Sequence, residues 1–306
     1  MENVALDNAR LDRRLIPPNK VFFSWYINNE CNYKCSFCCP QDIKTAPVSL
    51  DRWIEIWDGI YDRYGECHIH ISGGEPFIYP NFIKLIVYLS KKHTLEFSTN
   101  LSCDVQPFID NISPKRARLG GSFHPENGNF EEFLKRVTLL KKSGFDVWVN
   151  YVAYPPHLKD MAGYKKAVEQ SLPGVLFAIQ PFGGKYDGRD YPQGYTDEEK
   201  KLMNFGDNSE VNKETIDWRT DGAKSVVKGK LCRMGQMYAR IYPNADVLRC
   251  CGNGASKLGN LLDNSFKLSD KPLPCECDNC PCWKCMLAGK EDYWSKYWIS
   301  PEKFII

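Results

Sequence analysis

Three cysteines crowd one short stretch of this 306-residue chain: Cys31-Asn-Tyr-Lys-Cys35-Ser-Phe-Cys38. A loop with the spacing C-x3-C-x2-C can curl around one metal cluster and place three thiolates on three of its corners. It does not easily supply a fourth ligand. A [4Fe-4S] cube held by three cysteines keeps one iron open, and an open iron is a catalytic feature. A structural zinc site and three buried thiols are the plainer readings. Zinc sites usually close with four ligands in C-x2-C pairs, a set this loop does not complete.

A second stretch, Ser72-Gly73-Gly74-Glu75-Pro76, follows Cys67-His-Ile-His-Ile71, which alternates like a strand. Glycines let backbone carbonyls approach a ligand closely. A carboxylate at Glu75 can accept from an ammonium. Alone, the segment is an ordinary turn. Together with C-x3-C-x-aromatic-C, where Phe37 fills the aromatic position, it resembles the radical S-adenosylmethionine (SAM) family.

That resemblance implies a set of roles. The open iron at Cys31, Cys35 and Cys38 would bind the amino and carboxylate groups of SAM. Ser72, Gly73, Gly74 and Glu75 would hold the amino group, and Phe37 would lie against the adenine. Polar side chains at strand ends would bond the ribose and carboxylate. Here these are Ser98, Thr99 and Asn100 at the end of the third strand, Ser122 at the end of the fourth and Asn150 in the fifth. Small polar residues also commonly close strands before loops. His124 is a proton-transfer candidate or a hydrogen-bonded wall residue, and Gln180 and Tyr186 are pocket candidates. The implied chemistry is reductive cleavage of SAM to a 5′-deoxyadenosyl radical, which takes hydrogen from an unactivated carbon. A flavodoxin- or ferredoxin-type electron donor is implied with it.

These residues need elements to position them. Val21–Asn28 is expected as the first strand and Ser49 as the N-cap of a helix to Tyr64, with Trp53, Ile56, Trp57 and Ile60 on one face. Strands are expected over Cys67–Ser72, Thr94–Thr99, Ala117–Phe123, Phe145–Ala153 and Val175–Phe182. Helices are expected over Asn81–His93, Val105–Ile112, Phe130–Ser143 and Met161–Leu172. Six strand–helix alternations imply a parallel sheet with right-handed crossovers. The fold class is α/β: a partial, TIM-like (β/α)6 barrel, with ligands at the C-terminal strand ends. The expected organisation is a polar arm (1–20), the barrel (21–183), a bridge with one helix near Thr196–Asn204 (184–228), a small cysteine-rich cluster domain (229–290) and a docking tail (291–306).

Eight of the 14 cysteines fall between Cys232 and Cys285. Tyr238 to Cys251 has the pattern of a β-hairpin turning at Pro243-Asn-Ala-Asp246. Cys232 and Cys250 at C-x17-C, then Leu258-Gly-Asn-Leu261 and a final cysteine group, resemble the auxiliary-cluster extensions called SPASM and twitch. Ala245 stands where SPASM has its hairpin glycine, and the final cysteines depart from the SPASM order. One auxiliary [4Fe-4S] cluster is therefore expected, although eight cysteines would formally supply two. Cys232 and Cys250 with two of Cys275, Cys280 and Cys282 are the expected ligands. A zinc ribbon is the alternative, since C-x2-C occurs twice there. Cys67 and Cys103 are expected to be ordinary buried thiols.

Composition bounds the rest. Apolar content is 43%, enough for a real core, and a net charge of +2 leaves no footprint for nucleic acid or an anionic membrane. No run of about eighteen apolar residues suggests a membrane span. The polar N-terminus lacks the apolar stretch of a signal peptide. The cysteines are therefore expected as metal ligands in a reducing cytoplasm. The expected function is radical oxidation or rearrangement of a small molecule, aided by the auxiliary cluster. Its alternative is modification of a ribosomally made peptide by crosslink, thioether or epimerisation. Only about 20 residues precede the first strand, fewer than a leader-gripping domain needs. A non-catalytic iron–sulfur or zinc scaffold is the third reading.

Overall fold

The computed structural model describes residues 21–38, 43, 45–203, 228–252 and 254–277. The polar arm, most of the second half of the bridge, Cys280, Cys282 and the docking tail lie outside the described residues.

Six parallel strands form the core of the sheet: β1 (Phe22–Asn28), β2 (His68–Gly73), β3 (Thr94–Thr99), β4 (Ala117–Phe123), β5 (Asp146–Ala153) and β6 (Phe177–Pro181). All lie within two residues of their expected bounds. The helices between them are α1 (Leu50–Tyr64), α2 (Phe82–Ser90), α3 (Gln106–Asn111), α4 (Phe130–Lys142) and α5 (Leu158–Ser171). α2 ends three residues earlier than expected. His93 instead turns inward, and its Nδ1 accepts the Cys67 backbone N–H at 3.1 Å. α5 starts three residues early, after a single helical turn at Pro155–His157.

The two faces of the sheet differ in chemistry. Outward side chains are apolar and pack on the helices. α1 buries Trp53, Ile56, Trp57 and Ile60, and Ser49 Oγ accepts the Arg52 N–H at 3.3 Å. Trp25 of β1 meets Trp53 at 4.6 Å and Phe23 meets Trp57 edge-on at 5.6 Å. Truncating Trp53 to alanine would cost about 3–5 kcal/mol. Strand alternation puts the neighbours of these residues on the concave face. There, Arg118 Nε donates to Glu96 Oε2 at 2.7 Å, His68 Nε2 lies 3.3 Å from the same oxygen, and Trp148 covers the guanidinium at 5.6 Å. All three ionisable groups are buried. Burial lowers the His68 pKa to about 4, while the Arg118 charge keeps Glu96 far below the usual carboxylate range.

The bridge contains a small hairpin, β7 (Gly184–Tyr186) with β8 (Arg189–Tyr191), and a helix, α6 (Asp197–Leu202). The hairpin turns at Asp187 and Gly188, both at positive φ. α6 opens on a capping box, with Thr196 and Glu199 each satisfying the other's backbone N–H.

After β9 (Leu231–Cys232), the expected hairpin forms as β10 (Tyr238–Ile241) and β11 (Asp246–Leu248), and β12 (Lys257–Asn260) adds a third strand. Ala245 takes a left-handed φ of 63° at the turn, the conformation for which glycine is the usual choice. The hairpin does not stand apart. β10 pairs parallel to β1, Phe22 with Tyr238 through Trp25 with Ile241, so one sheet runs β12-β11-β10-β1-β2-β3-β4-β5-β6. The chain beyond β12 is fastened to α1: Arg63 Nη1 donates to Phe266 O at 3.0 Å, and Tyr64 Oη accepts the Leu268 N–H at 3.0 Å. β13 (Leu273–Pro274) then pairs with β9. Among the described residues no helix is long and apolar enough to cross a membrane.

Candidate active site

The cysteine loop leaves β1 at the C-terminal end of the sheet. Cys31 and Cys38 are exposed and Cys35 is half-buried. The Cys38 N–H closes a turn on Cys35 O at 3.1 Å. No three His, Cys, Asp or Glu side chains among the described residues converge on the point where a single metal ion would sit. A cubane takes its thiolates at separate corners, so a looser ring of sulfurs suits it. Burial, and then the Glu126 charge, push the Cys35 thiol up to about 12. Iron reverses that balance, because a coordinating thiol gives up its proton to the metal.

The Gly-Gly-Glu-Pro segment is sewn to the chain that leaves β1. The Gly74 N–H donates to Asn28 O at 2.9 Å, the Glu75 N–H to Glu30 O at 2.8 Å, and Asn28 Nδ2 to Glu75 O at 3.2 Å. A Cβ on Gly73 would strike Asn28 O, and one on Gly74 would strike Glu30 O. The glycines are thus required by backbone meeting backbone, whereas the sequence suggested a ligand approach. Gly73 also has a φ of 131°.

Glu75 is 1% exposed. Its Oε1 accepts from Thr99 Oγ1 at 2.7 Å and from the Phe77 N–H at 3.0 Å, and its Oε2 accepts the Asn100 N–H at 2.7 Å. Both oxygens are therefore occupied in tying the ends of β2 and β3 together. Burial raises its pKa against these three bonds. The side chain positions the segment, and an incoming ammonium would meet its charge across that scaffold.

Asn100 Nδ2 donates to Asn32 Oδ1 at 3.0 Å and lies 3.9 Å from Cys31 Sγ, and Asn32 Nδ2 reaches Ser102 Oγ at 2.8 Å. Asn100 is thus a prop for the cysteine loop. Ser122 pairs in register with Asn150, whose Oδ1 accepts the Trp148 indole N–H at 3.1 Å. Phe37 packs between His124, at 5.6 Å and 28°, and Tyr154 at 5.2 Å. Tyr186 reaches the other side of Tyr154 at 5.3 Å. Burial lowers the His124 pKa to about 4, which makes it a neutral wall residue at ordinary pH.

The loop after β4 clasps the cysteine loop, which nothing local in the sequence signals. Glu126 accepts the Ser36 N–H at 2.7 Å and the Ser36 hydroxyl at 2.5 Å, and His157 Nε2 lies 3.3 Å from it. Asn127 accepts the Lys34 N–H at 3.3 Å and donates to Cys35 Sγ at 3.4 Å.

Three buried polar atoms on this rim have no partner among the described residues: Ser72 Oγ, Asn28 Oδ1 and His124 Nδ1. Buried polar groups are almost always satisfied. Orphans gathered beside three thiols fit a polar cofactor such as SAM over an iron–sulfur cluster.

In the cysteine-rich region, Cys232, Cys250 and Cys277 are buried and Cys275 is half-buried. A Cβ on Gly252 would strike Cys277 Sγ and lie 3.5 Å from Cys250 Sγ. Cys277, absent from the expected ligand set, therefore converges with Cys250. Cys275 stands at the β9–β13 ladder, where its N–H donates to Lys230 O at 2.8 Å. Arg249 staples this region, donating to Met234 O, Pro274 O and Leu273 O at 2.6–2.8 Å and to Cys232 O at 3.4 Å. The two cysteines expected to be ordinary buried thiols differ. Cys67 is fully buried, whereas Cys103 is half-buried, at the rim near Glu75.

Known proteins share this fold. The solved structures of SuiB from Streptococcus suis share the fold. The SAM-bound form matches with TM-score 0.58 at 16% identity, over 84% of this chain and 66% of SuiB. The form bound to its precursor peptide SuiA matches with TM-score 0.57 at 14% identity, over 85% and 67%. In sequence, the subtilosin biosynthesis protein AlbA of Bacillus subtilis is 24% identical over 209 residues, 61% of this chain and 46% of AlbA. The GTP 3′,8-cyclase of Shewanella denitrificans is 25% identical over 142 residues, 39% of this chain and 40% of the cyclase. The aligned region is thus less than half the length of either curated relative. The radical SAM superfamily model matches residues 25–162, from β1 into α5. The family's cofactors are a [4Fe-4S] cluster and SAM, and residues 25–162 of this chain carry a radical SAM domain.

Proposed function

We propose that this chain is a radical SAM enzyme that modifies a ribosomally made peptide. The observation that carries the reading is the fold shared with SuiB, a protein solved with a precursor peptide bound, over 85% of this chain. AlbA, a bacteriocin biosynthesis protein, points the same way. This reverses the order in which the sequence ranked small molecule and peptide.

When bound, the cluster and SAM supply a one-electron route to breaking an unactivated C–H bond. The chain's own residues do the rest. Cys31, Cys35 and Cys38 would hold the cluster. Ser72, Asn28 and the Gly73–Glu75 backbone receive the polar groups of SAM. Asn100, Ser122 and Asn150 complete that rim, and Phe37, backed by His124 and Tyr154, offers an aromatic face to the adenine. Stacked rings and the buried concave layer exclude water from the reaction. Cys232, Cys250 and Cys277, with Cys275 and the following cysteines Cys280 and Cys282 as further candidates, hold one auxiliary [4Fe-4S] cluster. A flavodoxin or ferredoxin supplies the electron.

A small-molecule substrate is the second reading, favoured by the match to a GTP 3′,8-cyclase. One anaerobic experiment separates them. The protein is reconstituted with iron and sulfide and given dithionite, SAM and a precursor peptide encoded beside it. The expected result is 5′-deoxyadenosine together with a changed peptide mass, both absent in Cys35→Ala. Deoxyadenosine with an unchanged peptide counts against the peptide reading. No deoxyadenosine, or its persistence in Cys35→Ala, overturns the radical assignment.

A further inference from the structure

The concave face of the sheet carries a guanidinium that finds no hydrogen-bond acceptor among the described residues. Arg240 of β10 pairs in register with Ser24 of β1. Two residues earlier, Tyr238 stacks on Phe22 at 5.6 Å, and Phe22 meets His68 at 5.1 Å. Strand alternation therefore puts Arg240 on the same concave face as His68, His70 and Ser72. Arg240 is 6% exposed. Among the described residues its Nε has no partner, and no carboxylate or carbonyl accepts from the guanidinium.

The other buried arginines show what compensation looks like. Arg118 is neutralised by Glu96, and Arg249 donates to four backbone carbonyls. Among the described residues, Arg240 has the ring of Tyr26, 4.7 Å from its central carbon, with Tyr238, Tyr242 and Cys251 nearby and no carboxylate. A cation–π contact offsets part of the desolvation cost of a buried ion and leaves the rest. Glu96 serves Arg118 and His68, and Glu75 serves Phe77, Thr99 and Asn100.

The location is informative. Tyr26 pairs in register with Ser72, at the start of the Gly-Gly-Glu-Pro segment. On the other side, β10 leads through its hairpin to Cys250 and Cys251. The guanidinium thus lies between the SAM rim and the cysteine-rich ladder, where a substrate would have to sit. We infer that Arg240 anchors a carboxylate of the substrate, an acidic side chain or the C-terminus of the peptide. This rests on the peptide reading above. An Arg fork matches a carboxylate in two parallel hydrogen bonds, and an arriving carboxylate would cancel the charge that the fold leaves open.

The test uses three probes on the reconstituted protein with SAM, followed by ligand-observed NMR: acetyl-Gly-Asp-Gly-amide, acetyl-Gly-Asn-Gly-amide and acetyl-triglycine with a free carboxylate. An acidic probe should bind about tenfold or more tighter than the Asn probe, and the stronger of the two acids identifies side chain or terminus. Arg240→Gln should erase that preference, keep SAM binding by equilibrium dialysis and melt no lower than wild type, since it removes an uncompensated charge. Equal binding of all three probes to wild type overturns the inference, and this needs no variant to fold. Arg240→Gln that weakens SAM binding while keeping the preference assigns the residue to SAM's own carboxylate and also overturns it. Deoxyadenosine formation by wild type reports the radical reading separately: its presence beside equal probe binding leaves that reading standing and removes only this one.

Discussion

Asn127 donates from Nδ2 to the Cys35 sulfur at 3.4 Å while its Oδ1 accepts the Lys34 N–H at 3.3 Å. One side chain from the loop after β4 thus grips both a proposed cluster ligand and the backbone beside it, 92 residues away in sequence. Hydrogen bonds to cluster sulfurs favour the reduced, more negative state and so set the potential. Asn127→Ala should retain iron but move the SAM cluster to a more negative midpoint in an EPR-monitored redox titration. An unchanged midpoint would show that the contact only orders the loop.

Gly74→Ala should damage the site from a distance. The new methyl would press into the Glu30 carbonyl, a backbone atom that cannot rotate aside. Overpacking of this kind costs about 1–3 kcal/mol. A lower melting temperature should accompany weaker SAM binding, because the same shift separates Glu75 from Glu30. Gly163 has open space around it, and Gly163→Ala serves as the neutral control.

Arg249→Met should loosen the cysteine-rich region. The guanidinium is 3% exposed and serves carbonyls on two segments, at Met234 and at Leu273 and Pro274. Losing it leaves those acceptors buried without donors, at about 3 kcal/mol or more. The variant should retain the iron of the first loop and lose the remainder. Cys277→Ala should lose the same iron with a smaller drop in melting temperature. Full iron content in Cys277→Ala would remove that residue from the ligand set.

Acid should destabilise the apoprotein through buried histidines. His68 and His93 are 1% and 0% exposed, and burial lowers both pKa values from 6.5 to about 4. Because the folded values are lower, the unfolded chain takes up protons first as pH falls. The stability these residues contribute is complete above pH 6.5 and is lost between 6.5 and about 4. At pH 5 the loss is about 2 kcal/mol for each. Melting temperatures at pH 5 and pH 7.5 check this, and a flat profile between them would contradict it.

The strand positions, the face of α1 and the clustering of three cysteines on the loop after β1 were legible along the chain. Each depends on neighbours a few residues apart: alternation in Cys67–Ile71, helical spacing in Trp53–Ile60, the crowding of Cys31, Cys35 and Cys38. What stayed hidden depends on residues far apart in sequence. Only the register of β10 on β1 joins the hairpin to the barrel and brings Arg240 beneath Tyr26. Only the packed turn at Gly252 brings Cys277 to Cys250. Glycines 73 and 74 looked like ligand-facing residues until the chain after β1 was seen lying against them. The single clue to the inner layer was His68, His70, Glu96 and Arg118 within strands, and it could not say which charges would meet. Periodicity records which way a side chain points. The partner it meets is settled by chain crossings whose loops span tens to hundreds of residues, and a local pattern carries no trace of those closures.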